Sequence, residues 1–285
     1  MILKDFGIMK NHIFMKKDLK KSMKSEYLIY QVYVGKKSKL YDHCIASVSN
    51  YCEEYGIDHK IQKVPELRIK PDVFATNRSN ESYEKHGGFL PIYEKENAFI
   101  YFPPYKKIAI IDADIWIRPG SPNIFKVLGK NHDAGFVCER EMPITDQYRN
   151  KILNYSQMQY STLNDVDWKW DPIFGGEFFN MGMMLLNRDI KKYFKGQTPR
   201  QFLERAEFKR FIDGLGAWKW STDQTLLNWW VKKEKMNIKH LDWKWNALFK
   251  GVKDDRIKEA YFVHFFLKDK LPNRGENVEE LMRLI

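Results

Sequence analysis

The pattern of apolar and polar positions divides this chain into alternating strands and helices. Residues 27–34 are a mostly apolar run and predict a first strand. Residues 40–55 carry apolar side chains at helical spacing, and Gly56 marks the end of that helix. Residues 57–64 then predict a second strand. A strand–helix–strand order is typical of a parallel sheet, so we expect an α/β fold.

The rest of the chain continues this alternation. A capping box at residues 198–201 predicts the start of a helix, and residues 221–235 predict another. Residues 139–176 are long, polar and aromatic, which favours a functional loop or lid. No linker rich in Pro, Gly or Ser divides the chain, so the pattern predicts one domain. The apolar runs that predict further strands are residues 108–111, 134–138, 178–187 and 260–266.

Two aspartates stand directly after the run 108–111. Side chains at positions i and i+2 of an extended segment point to the same side, so Asp112 and Asp114 would present their carboxylates together. Open α/β sheets bind ligands at the carboxyl ends of their strands. Two carboxylates suit a divalent cation such as Mn²⁺ or Mg²⁺. The alternative is an aspartate that caps the turn before residues 119–122.

Composition limits the class of protein. Apolar residues make up 44% and aromatic residues 15%, which is sufficient for a core and excludes a disordered chain. The net charge is +11, and residues 1–24 carry seven lysines against two aspartates. This extension fits either a basic amphipathic helix on an anionic membrane or a solvated tail, and we favour the tail. The charge permits nucleic-acid contact, but no nucleic-acid motif supports it.

The cysteines and the length of the apolar runs indicate the cellular compartment. The three cysteines are an odd number without metal-type spacing along the chain, which favours reduced thiols in the cytoplasm. No apolar run reaches the length of about 18 residues that a membrane span needs. We therefore expect a cytoplasmic protein, with peripheral membrane contact limited to residues 1–24.

Four segments in order carry a family resemblance: residues 110–114, 179–187, 222–228 and 263–265. Their order and spacing resemble the glycogenin and lipopolysaccharide galactosyltransferase family, family 8 of the retaining glycosyltransferases. The resemblance implies a single GT-A domain over residues 25–285, with a Rossmann-like, mostly parallel central sheet flanked by helices. Residues 25–115 would form its nucleotide-sugar half and residues 116–285 its acceptor half.

The resemblance also implies an activity and a site. The protein would move a hexose from a nucleotide-sugar, usually a UDP-sugar, to a glycan, lipid-linked or protein acceptor with retention of configuration. Mn²⁺ or Mg²⁺ would be held by Asp112, Asp114 and His264, and Asp223 and Gln224 would lie beside the anomeric carbon. The residues implied to contact the donor are Val34, Gly35, Lys95, Asp112, Ala113, Asn180, Lys268 and Lys270.

Departures and alternatives accompany this hypothesis. The family usually has Gly and then Lys after its His-Phe pair, whereas here Phe266 and Leu267 precede Lys268. Residues 221–224 also fit a capping box, with Ser221 at the N-cap, Gln224 at N3 and Asp223 favourable to the helix dipole. His264 also fits a core histidine. The alternative functions are a glycosyltransferase that acts on modified DNA and a non-catalytic, basic α/β binding protein.

Overall fold

The computed structural model describes residues 24–285 except residues 36, 73–76, 103, 221 and 222. The predicted extension 1–24 therefore lies outside the described residues apart from Lys24. The strands are β1 Tyr27–Val32, β2 Asp58–Gln62, β3 Lys107–Ile111, β4 Ile115–Ile117, β5 Ala134–Cys138, β6 Phe179–Asn187, β7 Ile238–His240, β8 Ala247–Leu248 and β9 Phe262–His264. The helices are α1 Lys39–Tyr55, α2 Asn77–His86, α3 Asp146–Tyr160, α4 Pro199–Leu203, α5 Lys209–Asp213, α6 Asp223–Lys233 and α7 Val278–Met282.

The described strands form a six-stranded sheet in the order β2-β1-β3-β6-β5-β7 and a three-stranded sheet in the order β4-β9-β8. In the large sheet, β6 runs antiparallel to both of its neighbours, and the other pairs are parallel. Strands β3 and β6 are buried along nearly their whole length. This burial explains their continuous apolar sequences, because both faces of the sheet are covered.

Most of the predicted elements are confirmed, with shorter ends. Helix α1 ends at Gly56, which adopts the left-handed conformation that glycine tolerates best. The capping box is present at Thr198, whose side chain accepts from the backbone N–H of Gln201. Helix α6 begins within the predicted range, but the predicted N-cap, Ser221, lies outside the described residues. Among the described residues, no helix is both long and apolar enough to cross a membrane.

The prediction of a loop over residues 139–176 is wrong, because α3 occupies its middle. Thr145 caps this helix by accepting from the N–H of Tyr148. Its buried face includes Ser156 and Gln159 beside Ile152, so polar residues interrupt the apolar period that would have revealed it. A Cβ at Gly175 would stand only 2.1 Å from Ser156 Oγ, which shows how closely the following segment packs on α3.

The sheet and α6 are joined by one buried amide. Asn228 Oδ1 accepts from the backbone N–H of Phe179 at 2.7 Å, and Asn228 Nδ2 donates to the Phe179 carbonyl at 2.8 Å. Asn228 is fully buried. This pairing fixes the middle of α6 relative to the start of β6.

We predict that Asn228→Ala lowers the free energy of unfolding by about 2–4 kcal/mol, because two buried backbone groups of Phe179 lose their partner. Chemical denaturation measures this loss. Asn154→Ala, at an exposed position of α3, is the control and should change stability by less than about 0.5 kcal/mol. Equal effects of the two substitutions would contradict the prediction.

Candidate active site

Strand register brings three potential metal ligands together. Asp112 directly follows β3, and its N–H donates to the Gly182 carbonyl of β6 at 2.8 Å. Strand β4 pairs antiparallel with β9, which places Ile115 opposite His264. The Phe265 N–H then donates to the Asp114 carbonyl at 2.9 Å. The turn between β3 and β4 therefore carries both aspartates to the end of β9.

The side chains converge in the same way. His264 Nε2 lies 3.3 Å from Asp114 Oδ1 and 3.9 Å from Asp112 Oδ2. The ligand atoms of the three residues all lie within 4.8 Å of one another. Two carboxylate oxygens and one imidazole nitrogen form a donor set that fits Mn²⁺ or Mg²⁺. The residues present therefore suit the divalent cation that the fold resemblance implies.

A chain of hydrogen bonds fixes which nitrogen of His264 faces the carboxylates. The backbone N–H of Gly182 donates to Asn180 Oδ1, so that oxygen is an acceptor. Asn246 Nδ2 donates to the same oxygen at 2.8 Å, which turns Asn246 Oδ1 toward His264 Nδ1 at 3.1 Å. Nδ1 therefore carries the proton in the neutral imidazole, which leaves Nε2 as the atom that would bind a cation. Such an orienting partner is typical of metal-bound histidines.

The pKa values reflect the crowding of charge. Burial by itself lowers the pKa of His264, but the carboxylates of Asp114 and Asp112 outweigh it and raise that pKa above its ordinary value. Burial raises the pKa of Asp112 to about 6, although the Lys95 ammonium acts in the opposite direction. Without a metal, both groups therefore hold protons to higher pH than usual. A bound cation would displace these protons.

Lys95 is the buried cation of the site. Its ammonium lies 2.9 Å from Asp112 Oδ1 and 2.6 Å from Asp223 Oδ2, and it donates to the Met181 carbonyl at 3.1 Å. These three partners use all three donors of the ammonium. Burial lowers the pKa of Lys95, but the two carboxylates raise it overall, so the side chain stays charged.

Asp223 and Gln224 stand at the start of α6. Asp223 is buried, with 2% exposure, and faces Lys95. The side-chain oxygen of Gln224 accepts from the Met181 N–H at 3.2 Å. A residue that only capped the helix would be expected at its exposed end. The buried ion pair instead makes Asp223 part of the site.

Glu139 is a second buried carboxylate, and the sequence analysis did not identify it. It accepts from Asn180 Nδ2 at 2.8 Å and from the Tyr148 hydroxyl at 3.0 Å. Burial raises the pKa of Glu139, and hydrogen bonds from Asn180, Tyr148 and Gln224 oppose that rise. Because Glu139 follows β5 as Asp112 follows β3, the rule of strand-end carboxylates could have found it. No comparable sequence pattern pointed to Asn246.

A cavity of about 410 Å³ is lined by most of these residues, but Asp114 and Asn246 are not part of its lining. Its polar lining includes Lys95, Asp112, Glu139, Asn180, Asp223, Gln224 and His264. Helix α3 adds Tyr148, Lys151, Ile152 and Tyr155, and the remaining lining is Ile92, Met181, Gly182, Phe266 and Leu267. A concave site with a few convergent polar groups in a mostly apolar wall is typical of ligand binding.

The structure places some predicted residues elsewhere. Val34 and Gly35 follow β1 but do not belong to the cavity lining, and Gly35 is exposed. Lys268 pairs with Glu276 at 2.6 Å, and neither Lys268 nor Lys270 lines the cavity. Ala113 is buried between the two aspartates. The donor-binding roles of these five residues stay predictions.

Comparison with known proteins supports the fold. No family model and no curated protein matches the chain. Among solved structures, the galactosyltransferase LgtC in complex with donor and acceptor sugar analogues is similar with a TM-score of 0.50 and 12% identity, covering 90% of this chain and 94% of that chain. Mouse xyloside xylosyltransferase 1 has a TM-score of 0.45 and 14% identity, covering 86% and 99%. The similarity to LgtC confirms the predicted GT-A fold.

We predict that Gly182→Ala weakens Mn²⁺ binding at least about tenfold. A Cβ at this position would stand 2.3 Å from His264 Cε1 and 2.7 Å from Nδ1, so the imidazole would have to move. Isothermal titration of the metal-free protein measures the affinity. In Gly129→Ala the new Cβ meets its nearest atom at 3.7 Å, so this control should bind Mn²⁺ normally. Unchanged affinity in Gly182→Ala would argue against His264 as a ligand.

Proposed function

We propose that this protein is a metal-dependent, retaining glycosyltransferase that transfers a hexose from a UDP-sugar to a glycan, lipid-linked or protein acceptor. The observation that carries the proposal is the group formed by Asp112, Asp114 and His264, of which Asp112 and His264 line one cavity together with Lys95. The GT-A fold is consistent with it. The modified-DNA alternative has no separate observation in its favour.

The proposed reaction exchanges one bond for another at the anomeric carbon. The bond from that carbon to the diphosphate oxygen breaks, a bond to an acceptor hydroxyl oxygen forms, and the acceptor proton leaves with the nucleoside diphosphate. Negative charge therefore develops on the diphosphate. When bound, a divalent cation stabilises that charge directly. Asp112, Asp114 and His264 would hold the cation with their oxygen and nitrogen atoms.

Lys95 and Asp223 would help to stabilise the leaving diphosphate and to position the donor. The Lys95 ammonium holds Asp112 and Asp223 at a fixed separation and is itself desolvated, so its electrostatic effect on a nearby anion is stronger than in water. A lysine-paired carboxylate is a weakened nucleophile. We therefore assign Asp223 to positioning Lys95 and the donor sugar, which favours front-side attack over a covalent intermediate.

The apolar part of the cavity suits the acceptor. Tyr148 and Tyr155 of α3 and Phe266 after β9 provide aromatic surfaces, on which the apolar face of a sugar ring can pack. Glu139 and Asn180 are hydrogen-bonded to each other and also line the cavity. Their polar atoms can orient hydroxyl groups of either sugar.

We predict that Asp112→Asn and Asp114→Asn each reduce Mn²⁺-dependent release of UDP from a UDP-sugar on the order of a hundredfold or more. Each substitution replaces a charged ligand with a neutral one. The assay screens a panel of UDP-sugars without acceptor and follows UDP. The chain has a second Asp-x-Asp sequence at residues 165–167. Its Asp167 is exposed, so Asp167→Asn is the matched control and should be fully active.

Two results would decide against the proposal. Wild-type protein that binds no UDP-sugar and releases no UDP with Mn²⁺ would favour the non-catalytic binding protein. Full activity in both aspartate variants would reject the metal ligands while leaving the fold assignment intact.

We predict that Asp223→Asn lowers kcat for transfer on the order of a hundredfold, because Lys95 loses one of its two carboxylates. The free energy of unfolding should fall by about 1–3 kcal/mol and no more, since Asp112 still pairs with Lys95 and the asparagine oxygen can still accept from it. Initial rates and thermal unfolding measure the two effects.

The control for Asp223 is Asp146→Asn. Asp146 is likewise the first residue of its helix, α3, but it is exposed. This control removes a negative charge at a helix start, from a residue that does not line the cavity. The substitution should leave kcat unchanged. Product analysis by NMR accompanies the assay, and an inverted anomeric configuration would exclude a retaining reaction.

A further inference from the structure

A second group of metal-ligating side chains lies at the carboxyl ends of β5 and of the neighbouring edge strand β7. Cys138 is the last residue of β5, and His240 is the last residue of the edge strand β7. The two strands are parallel, with Phe136 opposite His240, and the Leu241 N–H donates to the Phe136 carbonyl at 2.8 Å. Glu141 follows β5 in a short 3₁₀ turn. Residues about 100 positions apart thus meet at one edge, a distance that strand pairing alone can bridge.

The potential ligand atoms are close. One sulfur, one carboxylate oxygen and one imidazole nitrogen all lie within 4.8 Å of one another. Glu141 Oε1 and His240 Nδ1 are 2.7 Å apart. In the part of the chain that the structure describes, this group and the one at Asp112 are the two sets of potential metal ligands. Cys44 and Cys52, which are also buried thiols, belong to neither set.

We propose that Cys138, Glu141 and His240 bind a zinc ion, with water as the fourth ligand. Sulfur, nitrogen and oxygen together form a borderline-soft donor set, which suits zinc. The hard set at Asp112, Asp114 and His264 favours manganese or magnesium instead. The two sites would therefore select different metals in the same chain.

The geometry allows such a site with small side-chain movements. Ligand atoms around a tetrahedral zinc ion are separated by about 3.5 Å, as the metal–ligand lengths require. Cys138 is completely buried and fixed within its strand, whereas the side chains of His240 and Glu141 are 33% and 45% exposed. The two exposed ligands can therefore rotate to accommodate the ion beside the fixed sulfur.

Zinc would also change the state of the thiol. Burial raises the pKa of Cys138 to about 12, and the charges of Glu141 and Glu177 act in the same direction. The metal-free thiol is therefore neutral and unreactive. Zinc binding would release its proton, as thiolate coordination requires.

The position of the site suggests a structural role. Strand β7 is only three residues long and lies at the edge of the sheet. A zinc ion would tie it to β5 at the residue before Glu139, which lines the candidate active site. The inference rests on these residues alone and does not depend on the proposed glycosyltransferase activity.

Cobalt(II) substitution tests the proposal on the full chain after chelator treatment. Cobalt bound to a thiolate produces a ligand-to-metal charge-transfer band in the near ultraviolet, whereas oxygen and nitrogen ligands do not. We expect wild-type protein to develop this band at one equivalent, and zinc to abolish it. Cys138→Ser should lose the band completely. Glu141→Gln, at a largely exposed position where folding is not at risk, should weaken cobalt binding at least about tenfold while retaining the band.

Two controls separate this site from other cobalt sites. Cys52→Ala should keep the band, because Cys52 belongs to neither group of potential metal ligands among the described residues. Asp114→Asn should also keep it, because it alters only the hard site. No band with cobalt in excess, or a band that persists in Cys138→Ser, would overturn the proposal. Equal cobalt affinity of Glu141→Gln and wild type would remove Glu141 from the ligand set.

Discussion

A buried ammonium group is the constraint on which the site depends. Lys95 is 6% exposed at its side chain, and a desolvated charge of this kind is costly unless every donor is satisfied. It meets Asp112 after β3, Asp223 at the start of α6 and the Met181 carbonyl of β6, so three elements are held at fixed distances from one atom. The neighbouring Glu96 competes less for this ammonium, because burial raises the pKa of Glu96 well above its usual range. With Asp114 added, carboxylates outnumber ammonium groups here, and a divalent cation would restore the balance of charge.

One amide connects the charged and apolar parts of the cavity. Asn180 accepts from the Gly182 N–H and from Asn246, which in turn orients His264. Its other end donates to Glu139, which accepts from Tyr148 on α3. The imidazole that would bind the metal and the helix that would meet the acceptor are therefore parts of one hydrogen-bond network. In a low-dielectric interior such a network is rigid only when every member is satisfied, so a change at either end is transmitted to the other.

The sequence could predict those features that depend on local pattern. The strand before Asp112, the buried strand that carries Asn180 and the helix start at Asp223 each follow from a run of apolar residues and its boundary. Helix α3 could not be predicted, because Ser156 and Gln159 on its buried face break the period. Nor could pairings set by register, such as His264 with Asp114 or Cys138 with His240, since nothing in the local sequence states which strands become neighbours. His264 was predicted only through the family resemblance. Asn246 and Glu139 are not among the residues that the resemblance implies, and neither was predicted.

Leu267 holds a strained backbone conformation beside the candidate site. The family resemblance places a glycine near this position, and Leu267 adopts the left-handed conformation, with φ 56° and ψ 55°. For a residue with a Cβ this conformation costs about 1–2 kcal/mol. Strain of this kind persists where the surroundings require the backbone path. The strained conformation therefore indicates that the surrounding fold requires this backbone path, which here carries a leucine side chain. That side chain is 53% exposed and lines the cavity. The apolar character of the cavity thus extends to its exposed rim, next to the segment that carries Lys268 and Lys270.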